Sequence, residues 1–95
     1  MNLHEIAKVA LAEGLTVSPS GRVNLIVTKR RIALVVGDSR VVVDLHRGFV
    51  RVVPVPAPGC HGPPPPEQRV PVDDAAPQIV EAMLRRAIEG GRTPS

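Results

Sequence analysis

The strongest constraint on the fold is a two-residue alternation of side chains that runs from Arg22 to Val53. Within this region every second residue is aliphatic in four short segments, and valine is the commonest aliphatic residue. β-Branched residues favour the pleated, half-buried surface of a sheet. Tight connections rich in turn-forming residues join the segments, which is typical of antiparallel strands. The pattern predicts a meander of three to four strands, at residues 22–28, 31–36, 40–45 and 49–53.

A helix is predicted before the strands, at residues 3–13. Asn2 is a favourable N-cap, and Glu5 stands three residues later, where its side chain can complete a capping box. The apolar stripe at helical spacing consists of Leu3, Ile6, Ala7, Ala10 and Leu11. Gly14 follows at a position where helices commonly end on glycine. The short segment 15–17 is therefore expected to be extended.

Prolines are frequent in the segment 54–72. This segment is therefore predicted to be a loop or a stretch of polyproline II. Proline lacks a backbone N–H and excludes both a helix and a central strand. The last predicted element is a C-terminal helix at about 75–89. Asp73 or Asp74 can cap it, and Pro77 is tolerated in its first turn. Its apolar stripe consists of Ile79, Val80, Met83, Leu84, Ala87 and Ile88.

These elements predict a single α+β domain that spans residues 1–95. A chain of 95 residues is too short for two independent hydrophobic cores. The fold class is an antiparallel three-to-four-stranded meander with an N-terminal and a C-terminal helix packed on one face. Alternation assigns an aliphatic set of side chains to that covered face. The set consists of Val23, Leu25, Val27, Ile32, Leu34, Val36, Val41, Val43, Leu45, Val50 and Val52.

The second face of the predicted sheet mixes arginine with apolar side chains, and it is the candidate binding face. The residues assigned to it as a binding face are Arg22, Asn24, Ile26, Arg31, Val35, Arg40, Val42, Phe49 and Arg51. The same alternation also places Thr28, Ala33, Asp44, His46 and Val53 on this side. A purely solvated face rarely holds so much apolar surface in one place.

Three explanations are open for this mixed face. The proline-rich segment can fold back over it, or the face can simply be an exposed β-rich surface. A partner protein, or a second copy of the chain in a homodimer, can pack against it. Nucleic acid can also track along it, with phosphates contacting Arg22, Arg31, Arg40 and Arg51. Protein contact is favoured over single-stranded nucleic acid, because stacking platforms use several aromatic residues and this sheet has only Phe49.

A basic hairpin tip is predicted at Lys29 and Arg30, directly before Arg31. The formal net charge of the chain is +3. A basic triplet at a hairpin tip can reach a duplex groove or its phosphates, but it is also typical of a solvated turn that prevents edge-to-edge aggregation. Neither predicted helix carries a dense basic recognition surface, so a helix-turn-helix is not expected.

The proline-rich segment also contains Cys60 and His61. A thiol beside an imidazole can indicate a nucleophile and its base, but adjacent residues in an extended loop point apart. A zinc site would need both residues together with His4 or His46, and the paired ligand spacing of such sites is missing. The prolines at 63–66 can present a polyproline ligand, although a spacer is the favoured interpretation. No catalytic, cofactor-binding or metal-binding residue is predicted.

The sequence therefore predicts a small non-enzymatic binding or accessory protein without a cofactor or small-molecule substrate. Its leading function is protein–protein contact or self-association through the mixed face. The alternative is a nucleic-acid-binding accessory or regulatory role through the same face and the hairpin tip. The single cysteine allows no internal disulfide, no apolar run is long enough for a membrane span, and the first residues do not resemble a signal peptide. A cytoplasmic location is expected.

Overall fold

The computed structural model describes residues 2–18, 22–37, 39–55 and 67–90. Within these residues the chain forms two α-helices, five β-strands and one 3-10 turn, which confirms the predicted α+β class. The elements are α1 (Leu3–Val17), β1 (Val23–Val27), β2 (Arg31–Val36), β3 (Ser39–His46), β4 (Phe49–Val55), β5 (Gln68–Pro71), the 3-10 turn (Val72–Asp74) and α2 (Pro77–Gly90). The prediction of three to four strands is one strand short.

The five strands form one antiparallel sheet in the order β1-β2-β3-β4-β5, as expected for a meander. Each connection between β1 and β4 is short, so the turn fixes the register of the strand that follows. In the β3–β4 connection Arg47 and Gly48 have φ values of 52° and 80°. Two successive residues with positive φ form a turn whose twist matches that of the strands it joins. This turn places His46 opposite Phe49 and Asp44 opposite Arg51.

The hydrophobic core lies between the two helices and the predicted covered face of the sheet. The buried apolar residues are Ile6, Ala10, Ile32, Leu34, Val36, Val41, Val43, Val50, Val52, Val80, Met83, Leu84, Ala87 and Ile88. The prediction of this face is wrong at two positions, because Val27 and Leu45 are 54% and 36% exposed. Both residues lie near the end of a strand. Leu11 and Ile79 were assigned to the helical stripes, and both are exposed.

Helix α1 is longer than predicted, because it continues through Gly14 and ends at Val17. Asn2 caps its first turn, and the Asn2 side chain accepts a hydrogen bond from the backbone N–H of Glu5 at 2.9 Å. Gly14 is buried, and a Cβ atom at this position would lie 2.9 Å from Cγ1 of Val23. The glycine is therefore required by the close approach of α1 to the sheet and does not end the helix. The extended segment predicted at 15–17 is the last turn of α1.

The prediction of a loop at 54–72 is wrong at both of its ends. Pro54 lies inside β4, opposite Val41 of β3. This position is beyond Val52, the last residue of β4 that pairs with β5, so a missing N–H is tolerated there. At the other end, β5 occupies residues 68–71 and the 3-10 turn follows it. Strand β5 was not predicted, because its segment was assigned to the proline-rich loop. It is an edge strand of four residues.

Helix α2 begins at Pro77, in the first-turn position that the sequence indicated. Asp73 and Asp74, the predicted caps, lie instead in the preceding 3-10 turn. The carbonyl of Ala76 accepts hydrogen bonds from the backbone N–H groups of Ile79 and Val80, each at 3.0 Å. In the part of the chain that the structure describes, neither helix has the length and apolar character needed to cross a bilayer.

Candidate binding face

The candidate site is the face of the sheet opposite the helices, here called the open face. Its strand residues are Asn24 and Ile26 on β1, Arg31, Ala33 and Val35 on β2, Arg40, Val42 and Asp44 on β3, Phe49, Arg51, Val53 and Val55 on β4, and Arg69 and Pro71 on β5. All nine residues predicted for the binding face thus share one side of the sheet, with Arg22 placed just before β1. Sequence reasoning missed Val55, Arg69 and Pro71, because it assigned no strand to their segments.

An apolar row crosses the middle of the open face. It runs through Ile26, Ala33, Val42 and Val53, which are direct cross-strand neighbours on β1 to β4. Ile26 is 57% exposed, and the other three side chains are half-buried. The apolar side chains of Val35 and Val55 lie in the adjacent row, beside Arg40.

The two rows enclose a shallow depression of about 230 Å³. Its side-chain lining includes Ile26, Ala33, Val35, Arg40, Val42 and Val55. The walls of this depression are mostly apolar, with one guanidinium group at its margin. It lacks the convergent polar groups of a typical small-molecule site.

A charged row lies on the other side of the apolar row, at Arg31, Asp44, Arg51 and Arg69. Arg51 donates two hydrogen bonds to Asp44, with Nε 2.9 Å from Oδ1 and Nη2 2.6 Å from Oδ2. These bonds raise the pKa of the Arg51 guanidinium above its ordinary value, and the nearby carboxylate of Glu67 adds to the effect. Asp44 is only 8% exposed, so the pair is an ordered part of the sheet surface.

Glu67 extends this ion-pair network from the residue just before β5. Its Oε1 lies 3.0 Å from Nε of Arg51, and its Oε2 lies 3.7 Å from Nε of Arg69. Arg51 therefore has two carboxylate partners and is poorly placed to bind a phosphate. The predicted phosphate contacts stay predictions; Arg31 and Arg40 are exposed, whereas Arg51 is half-buried.

The predicted basic hairpin tip lies between β1 and β2, and Lys29 and Arg30 are both exposed there. The backbone N–H of Thr28 donates to the carbonyl of Arg31 at 2.9 Å, which closes the turn. Phe49 lies in the last row of the face, opposite His46 and Pro71, and is 38% exposed. This single ring lies apart from the apolar row, so the face lacks a continuous aromatic platform along its described residues.

A second charged contact lies in the helix layer and was not predicted. Arg85 of α2 donates from Nε to Oε1 of Glu13 on α1 at 2.7 Å. Glu13 is 2% exposed, and the hydrogen bond to Glu13 raises the pKa of Arg85 above its ordinary value. The pair joins α1 to α2 and matches the charge of a carboxylate that is buried between the helices.

The other residues singled out in the sequence do not form a site in the described structure. Cys60, His61 and the prolines at 63–66 lie outside the described residues. His4 and His46 are exposed, on α1 and at the end of β3. The described residues contain no group of three or more His, Cys, Asp or Glu side chains that could hold a metal ion.

The chain was compared with known protein families, curated proteins and solved structures. It matches no family model, no curated protein and no solved structure. Functional interpretation therefore depends on the residues and geometry of the open face.

Proposed function

We propose that this chain is a small non-enzymatic binding or accessory protein that contacts another protein through the open face. The observation that carries the proposal is the apolar row at Ile26, Ala33, Val42 and Val53, which is exposed at Ile26, half-buried at the other three positions, and lies between two rows that contain arginine. Apolar surface of this kind, bordered by charged residues, is typical of protein interaction sites. The proposal assigns no catalytic residue and places the protein in the cytoplasm.

Charge on the open face favours a partner that differs from the chain itself. Arg22, Arg31, Arg40, Arg51 and Arg69 supply five positive charges, whereas Asp44 and Glu67 supply two negative charges. Two copies packed face to face would bring these positive surfaces together, which costs free energy at low ionic strength. A partner with apolar side chains bordered by carboxylates fits better. Self-association through the same face remains an outcome that the experiment distinguishes.

The test compares the wild-type chain with Val42→Lys and with Leu15→Lys as a matched control. Val42 is at the centre of the apolar row, whereas Leu15 is an exposed apolar residue of α1. Both substitutions replace an apolar side chain by the same cation. Light scattering over a range of concentrations measures self-association, and affinity capture from one lysate measures binding of partners.

The expected result is a monomer that captures the same proteins in the wild-type and Leu15→Lys forms and loses them in the Val42→Lys form. A dimer that Val42→Lys dissociates would assign the face to a second copy. A monomer with identical captured proteins in all three forms would contradict the proposal. Circular dichroism of each variant shows whether the fold is retained.

Nucleic acid is the second candidate partner, supported by the exposed cations of the β1–β2 hairpin and the open face. Lys29, Arg30, Arg31 and Arg40 are all exposed, and the structure gives none of them an ion pair within the described residues. Phosphate contacts make binding fall steeply with salt. Removing one contact is expected to lower the magnitude of the slope of log K against log salt by about one.

The matched pair for this test is Arg40→Gln against Arg51→Gln, on labelled duplex and single-stranded DNA. Arg40→Gln is expected to weaken binding to all sequences and to reduce the salt slope. Arg51→Gln should change the slope less, because Arg51 is already paired with Asp44 and Glu67. Binding that is indifferent to salt would argue against nucleic acid as the partner.

A further inference from the structure

The outer edge of β1 has a row of backbone groups that point away from the sheet. The N–H of Thr28 donates to the carbonyl of Arg31, and the N–H of Gly37 donates to the carbonyl of Arg22. Backbone groups alternate in direction along an antiparallel strand. Asn24 and Ile26 therefore direct their N–H and C=O groups at β2. The groups of Val23, Leu25 and Val27 point outward, where no strand pairs with them among the described residues.

The two edges of the sheet differ in their protection. At the far edge, β5 has four residues and contains Arg69 and Pro71, which are features that prevent further strand pairing. Strand β1 reads Val-Asn-Leu-Ile-Val from Val23 to Val27, with no proline and no charged residue inside it. Ile26 and Val27 are 57% and 54% exposed, one on each face of the strand. An apolar edge that no described strand covers is a template for an additional strand.

We infer that β1 binds an extended segment of another protein as a sixth strand, and that this segment has alternating apolar residues with acidic residues at its ends. The apolar residues would extend the rows that end at Ile26 on the open face and at Val27 on the helix side. Cations stand at both ends of β1, with Arg22 before it and Lys29 and Arg30 after it. Acidic ends on the partner segment complement these charges.

The same charges argue against a second copy as the occupant. Antiparallel pairing of two β1 strands would bring Arg22 of one copy beside Lys29 and Arg30 of the other, and parallel pairing would bring like residues together. Like charges at close range cost free energy, most strongly at low salt. The partner strand is therefore assigned to a different protein.

The experiment uses a labelled synthetic peptide with an alternating valine–threonine centre and two acidic residues at each end. Two control peptides have lysines at the ends or a proline at the centre. Fluorescence anisotropy measures affinity. Amide hydrogen exchange followed by NMR measures protection along β1. The expected result is that the N–H groups of Val23, Leu25 and Val27 gain protection, whereas those of Asn24 and Ile26 change little because they are already bonded to β2.

The double variant Lys29→Glu/Arg30→Glu tests the charge complementarity without altering the strand. It is expected to bind the acidic peptide at least about tenfold more weakly at low salt. The matched control is Lys8→Glu/Arg86→Glu, which reverses two charges at exposed positions of α1 and α2 and should leave affinity unchanged. Leu25→Pro removes one outward N–H group and should abolish binding if the variant folds.

Three outcomes would overturn the inference. The first is a lack of alternating protection at saturating peptide. The second is equal affinity for the acidic-ended and lysine-ended peptides. The third is alternating protection that appears in the free chain at high concentration, which would assign the edge to a second copy. The inference is independent of the proposed face contact, because Val42→Lys should retain peptide binding while it abolishes capture through the open face.

Discussion

Arg51 and Asp44 face each other across the β3–β4 hairpin, and Nε and Nη2 of Arg51 lie 2.9 and 2.6 Å from the two carboxylate oxygens of Asp44. Asp44 is 8% exposed, and buried polar groups of this kind are stabilised when their oxygens accept hydrogen bonds. We therefore expect the pair to stabilise the fold, as well as to form part of the charged row on the open face.

Replacing Arg51 by methionine is expected to destabilise the chain, because Asp44 then keeps a nearly buried charge without its bidentate partner. We expect the thermal midpoint to fall by roughly 5 °C. The measurement is thermal unfolding followed by circular dichroism, since the chain has no tryptophan or tyrosine. The double variant Asp44→Asn/Arg51→Met should recover much of the loss. An unchanged midpoint in Arg51→Met would show that the pair is only a surface contact.

Replacing Arg85 by methionine is expected to have a larger effect, because Glu13 is almost fully buried between the helices. Breaking a buried pair leaves an uncompensated charge, whereas an apolar pair of similar volume is tolerated. Urea unfolding should show a lower midpoint for Arg85→Met, and a midpoint near that of the wild type for Glu13→Leu/Arg85→Met. If the double variant is no more stable than the single one, the pair contributes more than charge compensation.

Gly14→Ala is expected to lower the free energy of unfolding by about 1 kcal/mol, although alanine favours a helix. The new Cβ would lie 2.9 Å from Cγ1 of Val23 and 3.4 Å from Cδ1 of Leu34. The control is Ala12→Gly at an exposed position of the same helix, which should also destabilise by about 1 kcal/mol, but through helix propensity alone. A gain in stability for Gly14→Ala would mean that α1 can move away from β1 at little cost.

Arg47→Asn is expected to stabilise the chain by about 0.5 kcal/mol. Arg47 has a φ of 52°, and asparagine adopts this conformation more readily than arginine does. The resulting Asn-Gly sequence is the preferred one for a two-residue hairpin turn. Arg47→Val is the contrasting variant and should destabilise, because a β-branched residue is strained at positive φ. Equal stability of the two variants in urea would contradict this account of the turn.

The sequence predicted the sheet well where alternation and turn residues act together. The predicted strands, 40–45 and 49–53, left a connection of three residues, which would place Asp44 opposite Val50, whereas the actual two-residue turn at Arg47 and Gly48 places Asp44 opposite Arg51. Recognising Arg47 and Gly48 as a two-residue turn would have revealed the ion pair from the sequence. The contact of Glu67 with Arg51 could not be found in this way, because Glu67 follows a long segment whose length fixes no register.

The wrong predictions concern glycine and proline, because each of these residue types occurs in more than one structural setting. Gly14 was interpreted as a helix end, but its small size is needed for the approach of α1 to Val23. Pro54 was interpreted as a loop residue, but it lies where only β3 pairs with β4. The Glu13–Arg85 contact joins residues 72 positions apart and depends on how the helices cross, which local patterns do not determine.

The large sequence separation of Glu13 and Arg85 also affects the order in which the elements of the fold are expected to form. Every neighbour in the sheet is adjacent in sequence, and β1 to β4 can pair through short loops that close at little entropic cost. The contact between Glu13 and Arg85 instead joins residues 72 positions apart, so a long loop must close before it forms. We therefore expect this contact to form late in folding, so that Arg85→Met speeds unfolding and leaves the refolding rate almost unchanged in kinetic measurements. On this expectation, a contact with little influence on how fast the chain folds would still affect how long the folded chain lasts.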